Sequence, residues 1–377
     1  MNTVKILHCA DLHIGAAESF LGERAEKRRY ETLLTFERII DIAEKNGTDA
    51  VLIAGDLFDS NTADREFTAQ VLGKIASVPQ VRVIFAAGNH DPLTGDSPFS
   101  GAVLPDNFYI LDTKGGVISF EDIGLNVYGQ SYSYVYMDEE PSFSPPRDND
   151  GFVNIMLIHG ELKGDPSSHY CPISSDFIAN SNMDYIALGH IHKRTEISKL
   201  GNTFYAYSGC PEGQGFDETG EKGVYIGTVG KGVCDLEFLP VAKRMHVTET
   251  VDISDAESTS DAFEKIISLL KTEYGENYGD NLYKLILAGS VKDEAAINTG
   301  ELFSRLSEKV YFVKLRDKTE PFIDKKTLSA EVSLKGIFVK NMLAKLENAD
   351  ENEKARLEKA LELGIRAFSS EVSYNED

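Results

Sequence analysis

Five apolar runs in the first half of the chain each lead into residues of the types that bind metals. The runs are Val4–Leu7, Ala50–Ala54, Val81–Ala86, Val153–Ile158 and Tyr185–Leu188. Continuous runs rich in valine and isoleucine are typical of strands that are buried inside a sheet. Because ligands bind beyond the carboxyl ends of strands in open α/β sheets, we expect the residues after the five runs to share one rim.

The residues after these runs form a mixed set of oxygen and nitrogen donors. In chain order they are Asp11-Leu12-His13, Gly55-Asp56, Gly88-Asn89-His90-Asp91, His159-Gly160 and Gly189-His190-Ile191-His192. His190 and His192 are two residues apart, so on extended chain they face the same way and can serve adjacent ions. A set of this size exceeds what one ion takes from a protein and suits a pair of divalent transition ions. The sequence therefore predicts a two-metal hydrolase site.

These motifs resemble those of the calcineurin-like metallophosphoesterases, and more narrowly those of the SbcD-type DNA double-strand-break repair nucleases. The block Tyr207–Pro211, Gly215–Glu218 and Glu221–Gly223 is similar to the segment that separates SbcD-type nucleases from general phosphodiesterases. The resemblance covers about the first 240 residues. It implies an α/β fold, a four-layer α/β/β/α metallophosphoesterase sandwich followed by a small α/β capping domain and a C-terminal helical pair.

The resemblance also implies roles for particular side chains. It assigns Asp11, His13 and His192 to one ion, Asn89, His159 and His190 to the other, and Asp56 to the bridge between them. His90 has no ligand role in the family, so we expect it to donate a proton to the leaving oxygen or to stabilise charge on the phosphoryl group. Asp59 matches the position that pairs with this histidine. The expected cofactors are two divalent ions, Mn²⁺ first, with Fe²⁺ or Zn²⁺ as alternatives.

The net charge of −23, from 61 acidic and 38 basic residues, is unusual for a protein that binds nucleic acid. A basic cluster formed by Arg24, Lys27, Arg28 and Arg29, with Lys193 and Arg194, could line a phosphate track, or it could be simply solvated. We therefore expect this chain alone to bind DNA weakly, and we expect a partner to provide most of the affinity for DNA.

Three regions are predicted along the chain. Residues 1–240 form the metallophosphoesterase (nuclease) domain, residues 241–320 a capping domain that guides DNA, and residues 321–377 a C-terminal helical segment that could dock on an ATPase. The stripe Leu357, Leu361, Ile365 and Phe368 on the last helix either packs on the chain's own body or binds a partner, which the family resemblance identifies as an SbcC-like coiled-coil ATPase. A homodimer is left open. The segment Met137–Gly151 is predicted to be an exposed loop.

The compartment is predicted from cysteine usage and from hydropathy. Cys9, Cys171, Cys210 and Cys234 are scattered without Cys-x-x-Cys spacing, which suits reduced thiols. No apolar stretch is long enough to span a bilayer, and the first strand begins at Val4 without a charged and apolar leader. We therefore expect a cytoplasmic protein.

The function that follows is that of a manganese-dependent nuclease of SbcD type that hydrolyses phosphodiester bonds in DNA. Activity as a 3′-to-5′ exonuclease and as an endonuclease is implied by the resemblance alone. One alternative is a two-metal phosphodiesterase for small substrates such as cyclic nucleotides, which the acidic charge keeps open. Another is a non-catalytic scaffold subunit of an ATPase complex, which the complete ligand set disfavours.

Overall fold

The structure is a computed structural model that describes residues 2–61, 64–146, 151–162, 168–292, 297–322 and 324–368. The chain divides into two compact units. The first comprises Met1–Thr248, Glu276–Lys284 and Val310–Val313, and the second comprises Glu249–Gly275, Leu285–Lys309 and Lys314–Asp377. The three predicted functional regions, 1–240, 241–320 and 321–377, remain a prediction.

The strands and helices alternate through the first part of the chain. The strands are β1 Thr3–Cys9, β2 Ala50–Ala54, β3 Arg82–Ala86, β4 Phe108–Ile110, β5 Gly116–Phe120, β6 Leu125–Gln130, β7 Val153–His159, β8 Glu161–Leu162, β9 Pro172–Ile173, β10 Tyr185–Gly189, β11 Ser198–Leu200, β12 Thr203–Tyr207, β13 Gly223–Gly230 and β14 Val233–Pro240. The helices are α1 Ala25–Lys45, α2 Arg65–Ala76 and α3 Ser175–Asn180, and a short 3-10 helix covers Ser19–Arg24.

The remaining elements follow after residue 245. The strands are β15 His246–Asp252, β16 Leu282–Ala288, β17 Ser290–Val291, β18 Phe312–Asp317 and β19 Glu320–Pro321. The helices are α4 Thr259–Tyr274, α5 Thr299–Ser307, α6 Lys325–Ala330, α7 Leu334–Glu347 and α8 Glu351–Ala367, with a 3-10 helix at Gly275–Asp280. None of the helices in the described ranges is both long enough and apolar enough to cross a membrane.

The first unit is built around two six-stranded sheets. One has the strand order β14-β13-β1-β2-β3-β4 and the other β11-β12-β10-β7-β6-β5. The strands β1, β2, β3 and β4 are parallel to one another, as are β6, β7, β10 and β12. Antiparallel strands close the edges, because β13 pairs with β1, β14 with β13, β5 with β6 and β11 with β12.

Alternate residues of the first sheet pack in two different cores. Ile6 and Leu52 belong to a cluster with Ile155 of the second sheet, so this core lies between the two sheets. Leu7 on the opposite face belongs to a cluster with Phe36 of α1. Because side chains alternate across a strand, a strand with both faces buried is apolar at every position. This is why the runs in the sequence are continuous.

A third core covers the outer face of the second sheet. Ile158 of β7 and Leu188 of β10 cluster there with Ile178 of α3. The order of layers is thus helices, sheet, sheet and helix, which confirms the predicted α/β/β/α sandwich. The five apolar runs are the strands β1, β2, β3, β7 and β10. On α1, the apolar residues Tyr30 and Leu34 do not face a core, since they are 42% and 36% exposed.

The second unit contains the helices of the C-terminal part. Ser258 caps α4 by accepting a hydrogen bond from the Asp261 N–H, the contact typical of a serine at a helix N-cap. In the last two helices, Leu361 and Ile365 of α8 are buried against Val339 and Met342 of α7. The stripe left open between two roles therefore packs on its own chain at these positions.

A network of buried charges joins α1 to distant parts of the first unit. Arg28 is 1% exposed and donates to Glu18 at 2.7 Å and to Glu212 at 2.8 Å. It also lies 3.3 Å from Glu31, which Arg244 binds at 2.8 Å. Burial opposes the charge of Arg28, but the carboxylates of Glu212 and Glu18 raise its pKa above the usual range. Arg28 is therefore unavailable to DNA phosphates, and its place in the suggested phosphate track is wrong.

Replacing this arginine tests whether the network supports the fold. Arg28→Met should lower the free energy of unfolding by about 3–5 kcal/mol, because it leaves buried carboxylates without their cation. Denaturant unfolding measures this loss. Lys27→Met, at the exposed neighbouring position, is the control and should change stability by no more than about 0.5 kcal/mol. A stable Arg28→Met variant with weakened DNA binding would contradict the structural role.

Candidate metal centre

Parallel strands bring the predicted site residues to one rim. The loops that follow β1 and β2 run side by side, because the Asp11 N–H donates to the Gly55 carbonyl at 3.1 Å and the His13 N–H to the Asp56 carbonyl at 2.9 Å. In the second sheet, Gly189 at the end of β10 pairs with His159 at the end of β7. The ends of strands from both sheets thus supply the donors.

The backbone is strained at several of these residues. Asp11, His13, Asp56 and His190 have φ values of 53°, 45°, 50° and 99°, a region that side-chain-bearing residues seldom adopt. Among the described residues, only Cys171 and Asn182 share this property outside glycine. Each such residue costs about 1–3 kcal/mol, and such strain concentrates at functional sites. The packed strands on either side hold the strained turns in place.

One glycine lets two loops approach closely. Gly88, which precedes Asn89, lies so near Asp56 that a Cβ atom there would collide with the Asp56 carboxylate and lie 2.7 Å from the Asp56 backbone nitrogen. A side chain at position 88 would therefore displace the predicted bridging ligand.

Asp11, His13 and His192 form one group of converging donor atoms, which lie within 4.8 Å of one another. The Nε2 atoms of His13 and His192 are 3.1 Å apart. Their Nδ1 atoms face carboxylates, with Asp59 Oδ1 at 3.2 Å and Glu218 Oε1 at 2.5 Å. Because a carboxylate only accepts, each Nδ1 carries the proton and each Nε2 is left as the ligand atom.

Asp56, His159 and Asn89 form the adjoining group. His159 Nε2 lies 2.9 Å from Asn89 Oδ1 and 3.3 Å from Asp56 Oδ2. The same Asp56 oxygen is 3.6 Å from His13 Nε2, so it lies between the two groups. The ring of His190 is 5.2 Å from that of His159, centroid to centroid. The structure therefore brings the seven predicted ligands together, while their roles stay a prediction.

Burial and charge shift the pKa values of neighbouring site residues in opposite directions. Burial would lower the pKa of His159, but the carboxylates of Asp56 and Asp11 raise it to about 9. Burial would raise the pKa of Asp56, yet His159 and His13 hold it below its usual range. Burial lowers the pKa of His190 to about 4, and the charge of His159 adds to this. The carboxylates thus favour positive charge here, as they would favour bound cations.

His90 lies at the open side of the group, with its side chain 45% exposed. Its backbone N–H donates to Asp56 at 2.9 Å, and its Nδ1 lies 3.0 Å from the carbonyl oxygen of Asp59. The Asp59 carboxylate is 4.0 Å from His90 Nδ1 but 3.2 Å from His13 Nδ1. Asp59 therefore has two candidate partners, and its pairing with His90 remains a prediction.

Two residues support the centre without having been assigned a role from the sequence. Asp91 is fully buried and accepts from the N–H groups of Gly88 and Phe58, at 2.8 and 3.1 Å. Burial and the nearby Asp56 raise its pKa to about 6. Glu218 bonds to His192, and although burial would raise its pKa, His192 lowers it to about 2. Glu218 lies within the Gly215–Glu218 motif, but nothing in the sequence pairs it with His192.

The donor set suits divalent metal ions. Two histidine nitrogens 3.1 Å apart can share one ion, since bonds from zinc to histidine nitrogen are about 2.0–2.1 Å long. The carboxylates Asp11 and Asp56 supply negative charge, and both are buried. Imidazole with carboxylate ligands matches manganese, iron or zinc better than calcium, which takes only oxygen ligands.

This chain is similar to a known protein family and to individual proteins of known sequence. A family model described as calcineurin-like phosphoesterase matches residues 4–194. An uncharacterized metallophosphoesterase, YhaO of Bacillus subtilis, is 31% identical over 281 residues, which cover 71% of this chain and 67% of that protein. That family uses a binuclear metal site, and this chain holds candidate ligand groups for one.

A DNA repair protein and a component of a nuclease are also similar. The DNA double-strand break repair protein Mre11 of Methanopyrus kandleri is 24% identical over 268 residues, which cover 63% of this chain and 57% of that protein. The SbcD component of the nuclease SbcCD from Rhodobacter capsulatus is 37% identical over 93 residues, 24% of this chain and 22% of that component. This chain thus matches little more than half of the first of these proteins and under a quarter of the second.

Changing the shared carboxylate tests the metal centre. Asp56→Asn should weaken both predicted sites together and abolish hydrolysis of a chromogenic phosphodiester, because it removes the charge that lies between the two groups. Metal analysis should give well below two ions per chain. Asp184→Asn, a buried change away from the centre, should keep both metal and activity. Normal metal content and full activity in Asp56→Asn would refute the two-metal assignment.

Proposed function

This chain belongs to the calcineurin-like phosphoesterase family, and we propose that it is an SbcD-type nuclease. As a family member it is a hydrolase of phosphoester bonds. The proposed substrate is DNA, and the proposed cofactor is a pair of Mn²⁺ ions. The proposal adds an SbcC-like ATPase as partner and, from the family resemblance, 3′-to-5′ exonuclease and endonuclease activities.

The convergence of seven donor side chains, Asp56 among them, at one rim is the observation that carries the proposal. One group contains Asp11, His13 and His192, and the other contains Asp56 and His159 with Asn89 beside them. When bound, a pair of divalent ions lowers the pKa of water and stabilises charge on the phosphoryl group. A scaffold subunit without catalysis would have no need for this set or for the strained turns that carry it.

His90 is proposed to act on the leaving group. Its Nδ1–H bond to the Asp59 carbonyl leaves Nε2 free to face a scissile phosphate. In the imidazolium form both nitrogens donate, so Nε2 can pass a proton to the departing oxygen while Nδ1 stays bonded. The Asp59 carboxylate lies 4.0 Å from His90 Nδ1. The backbone bond from His90 to Asp56 keeps the ring beside the metal ligands.

The choice between DNA and a small phosphodiester rests on the similar proteins and on charge. Mre11 and the SbcCD component are named as a repair protein and a nuclease, which favours DNA. The net charge of −23 favours a small substrate, because a DNA-binding surface is usually basic. The acidic charge is compatible with DNA as the substrate if a partner provides the surface that binds the DNA.

Digesting several substrates side by side tests the proposal. Labelled duplex DNA should be cleaved with Mn²⁺ and spared with chelator, whereas cyclic nucleotides should be turned over slowly or not at all. His90→Ala should cleave DNA about 100-fold more slowly or worse, because it loses a positioned proton donor or charge stabiliser, while it keeps two bound ions.

Each other outcome of that experiment has a definite meaning. Rapid turnover of cyclic nucleotides beside intact DNA would replace the nuclease by the small-substrate phosphodiesterase. Loss of metal in His90→Ala would make His90 a ligand, since its nitrogen also lies within 4.8 Å of donor atoms of His13 and Asp56.

The proposed ATPase partner needs an apolar surface, and α7 provides one. Leu334 and Ile337 are 77% and 58% exposed, and they lie three residues apart on one helix face. The neighbouring Val332 is fully exposed. The stripe Leu361 and Ile365 is buried against α7, so the exposed face of α7 is the better candidate for docking.

Charged substitutions on α7 test the docking surface. Leu334→Glu with Ile337→Glu should abolish co-purification with an SbcC-like ATPase, because charge replaces apolar contacts. Hydrolysis of a small chromogenic phosphodiester should be unchanged, since every predicted ligand lies before residue 193. Lys359→Glu, exposed on α8 rather than on α7, is the control and should leave co-purification intact. Co-purification that survives the double change would rule out this surface.

A further inference from the structure

The segment Gly209–Lys222 folds around His192, and we call it the His192 cradle. The His192 carbonyl accepts from the Cys210 N–H at 3.2 Å and from Lys222 Nζ at 3.3 Å. Gly209 has a φ of 70°, and a Cβ atom there would lie 2.8 Å from that carbonyl oxygen. The cradle includes most of the block that resembles SbcD-type nucleases in sequence. That block therefore encloses the predicted metal ligand His192.

Glu218 is the member of the cradle that reaches the His192 ring. Its Oε1 lies 2.5 Å from His192 Nδ1. Its Oε2 accepts from the Gln214 N–H at 2.8 Å and lies 3.5 Å from the Cys210 thiol. Both oxygens are therefore engaged by donors, and the carboxylate cannot turn without losing one of these bonds. The side chain is 17% exposed, so water competes little for it.

This arrangement fixes which nitrogen of His192 can bind a metal. The carboxylate requires a proton on Nδ1, so in the neutral ring Nε2, 3.1 Å from His13 Nε2, keeps its lone pair. Carboxylates that hold the far nitrogen of a histidine ligand also orient the ring and raise its basicity. We propose that Glu218 is a positioning residue that sets the tautomer and orientation of His192 for the metal ion shared with Asp11 and His13. The inference rests on the metal centre of the proposed function but not on its substrate.

A separate metal site is the competing explanation. His192, Cys210 and Glu218 also form a group whose donor atoms lie within 4.8 Å of one another. The nitrogen that would serve this group is Nδ1, which already bonds Glu218, while Nε2 faces His13. A third ion would have to break the shortest bond of the cradle, so the positioning role is favoured.

Glutamine at position 218 separates charge and bonding from bulk. A glutamine has one oxygen, yet the cradle needs an acceptor towards Nδ1 and another towards the Gln214 N–H. Either one donor is left unsatisfied or the amide forces the wrong tautomer of His192. Mn²⁺ titration of the metal-free full-length chain, with free Mn²⁺ followed by electron paramagnetic resonance, should show one of two sites weakened about 10–100-fold in Glu218→Gln. The other site should be unchanged.

Two further variants make the result decisive. Asp217→Asn, the exposed acidic neighbour, should leave both affinities unchanged. Glu218→Asp keeps the charge with a shorter reach, so it should recover part of the lost affinity. If Glu218→Gln does not fold, Glu218→Asp decides the matter, because unchanged affinity in that variant overturns the proposal.

The remaining outcomes are equally definite. Two unaltered sites in Glu218→Gln, or equal weakening of both, would overturn the positioning role. A third bound ion in the unaltered chain, lost in Glu218→Gln, would assign the group to a separate metal site instead. An unaltered chain that binds two ions but cleaves no DNA contradicts the nuclease proposal and leaves this one standing.

Discussion

The rest of this structure depends on one constraint, the close approach of nitrogen and oxygen atoms that each carry a lone pair. Two histidine nitrogens lie 3.1 Å apart, and an Asp56 oxygen lies 3.3 Å from His159 and 3.6 Å from His13. Such a cluster is stable only with protons or cations among its members, since buried charges need partners. The ligand groups would repel one another and move apart, but the two sheets hold them in place. The buried strands fix where each ligand-bearing turn begins. Four of the seven predicted ligands accept unfavourable backbone angles as a result.

The sandwich and the gathering of the site were predictable from the chain, for a specific reason. Strands buried on both faces are apolar at every position, so β1, β2, β3, β7 and β10 are visible without knowledge of their neighbours. Parallel strands then bring their carboxyl ends to one edge whatever their order. The start of α4 is also indicated by neighbouring residues. Ser258 lies three residues before Asp261, whose N–H donates to the serine side chain.

Contacts between distant residues were not predictable. Arg28 looks like a surface cation in a basic stretch, and only its bond to Glu212, 184 positions away, shows it to be structural. The link from Glu218 to His192 is equally hidden, because a carboxylate and a histidine 26 residues apart have no recognisable spacing. The stripe on α8 was readable as apolar, but its partner Val339 on α7 depends on how the helices pack.

The pairing of β1 has a consequence for how the chain matures on the ribosome. One edge of β1 pairs with β2, which begins at Ala50. The other edge pairs with β13, which begins at Gly223, so it stays unpaired until β13 has been synthesised. At synthesis rates of about 5–20 residues per second, that edge stays open for about 10–45 s. Exposed strand edges invite pairing with other chains. The nascent protein is thus most prone to aggregate in the interval before β13 emerges, and ribosome-associated chaperones would matter most there.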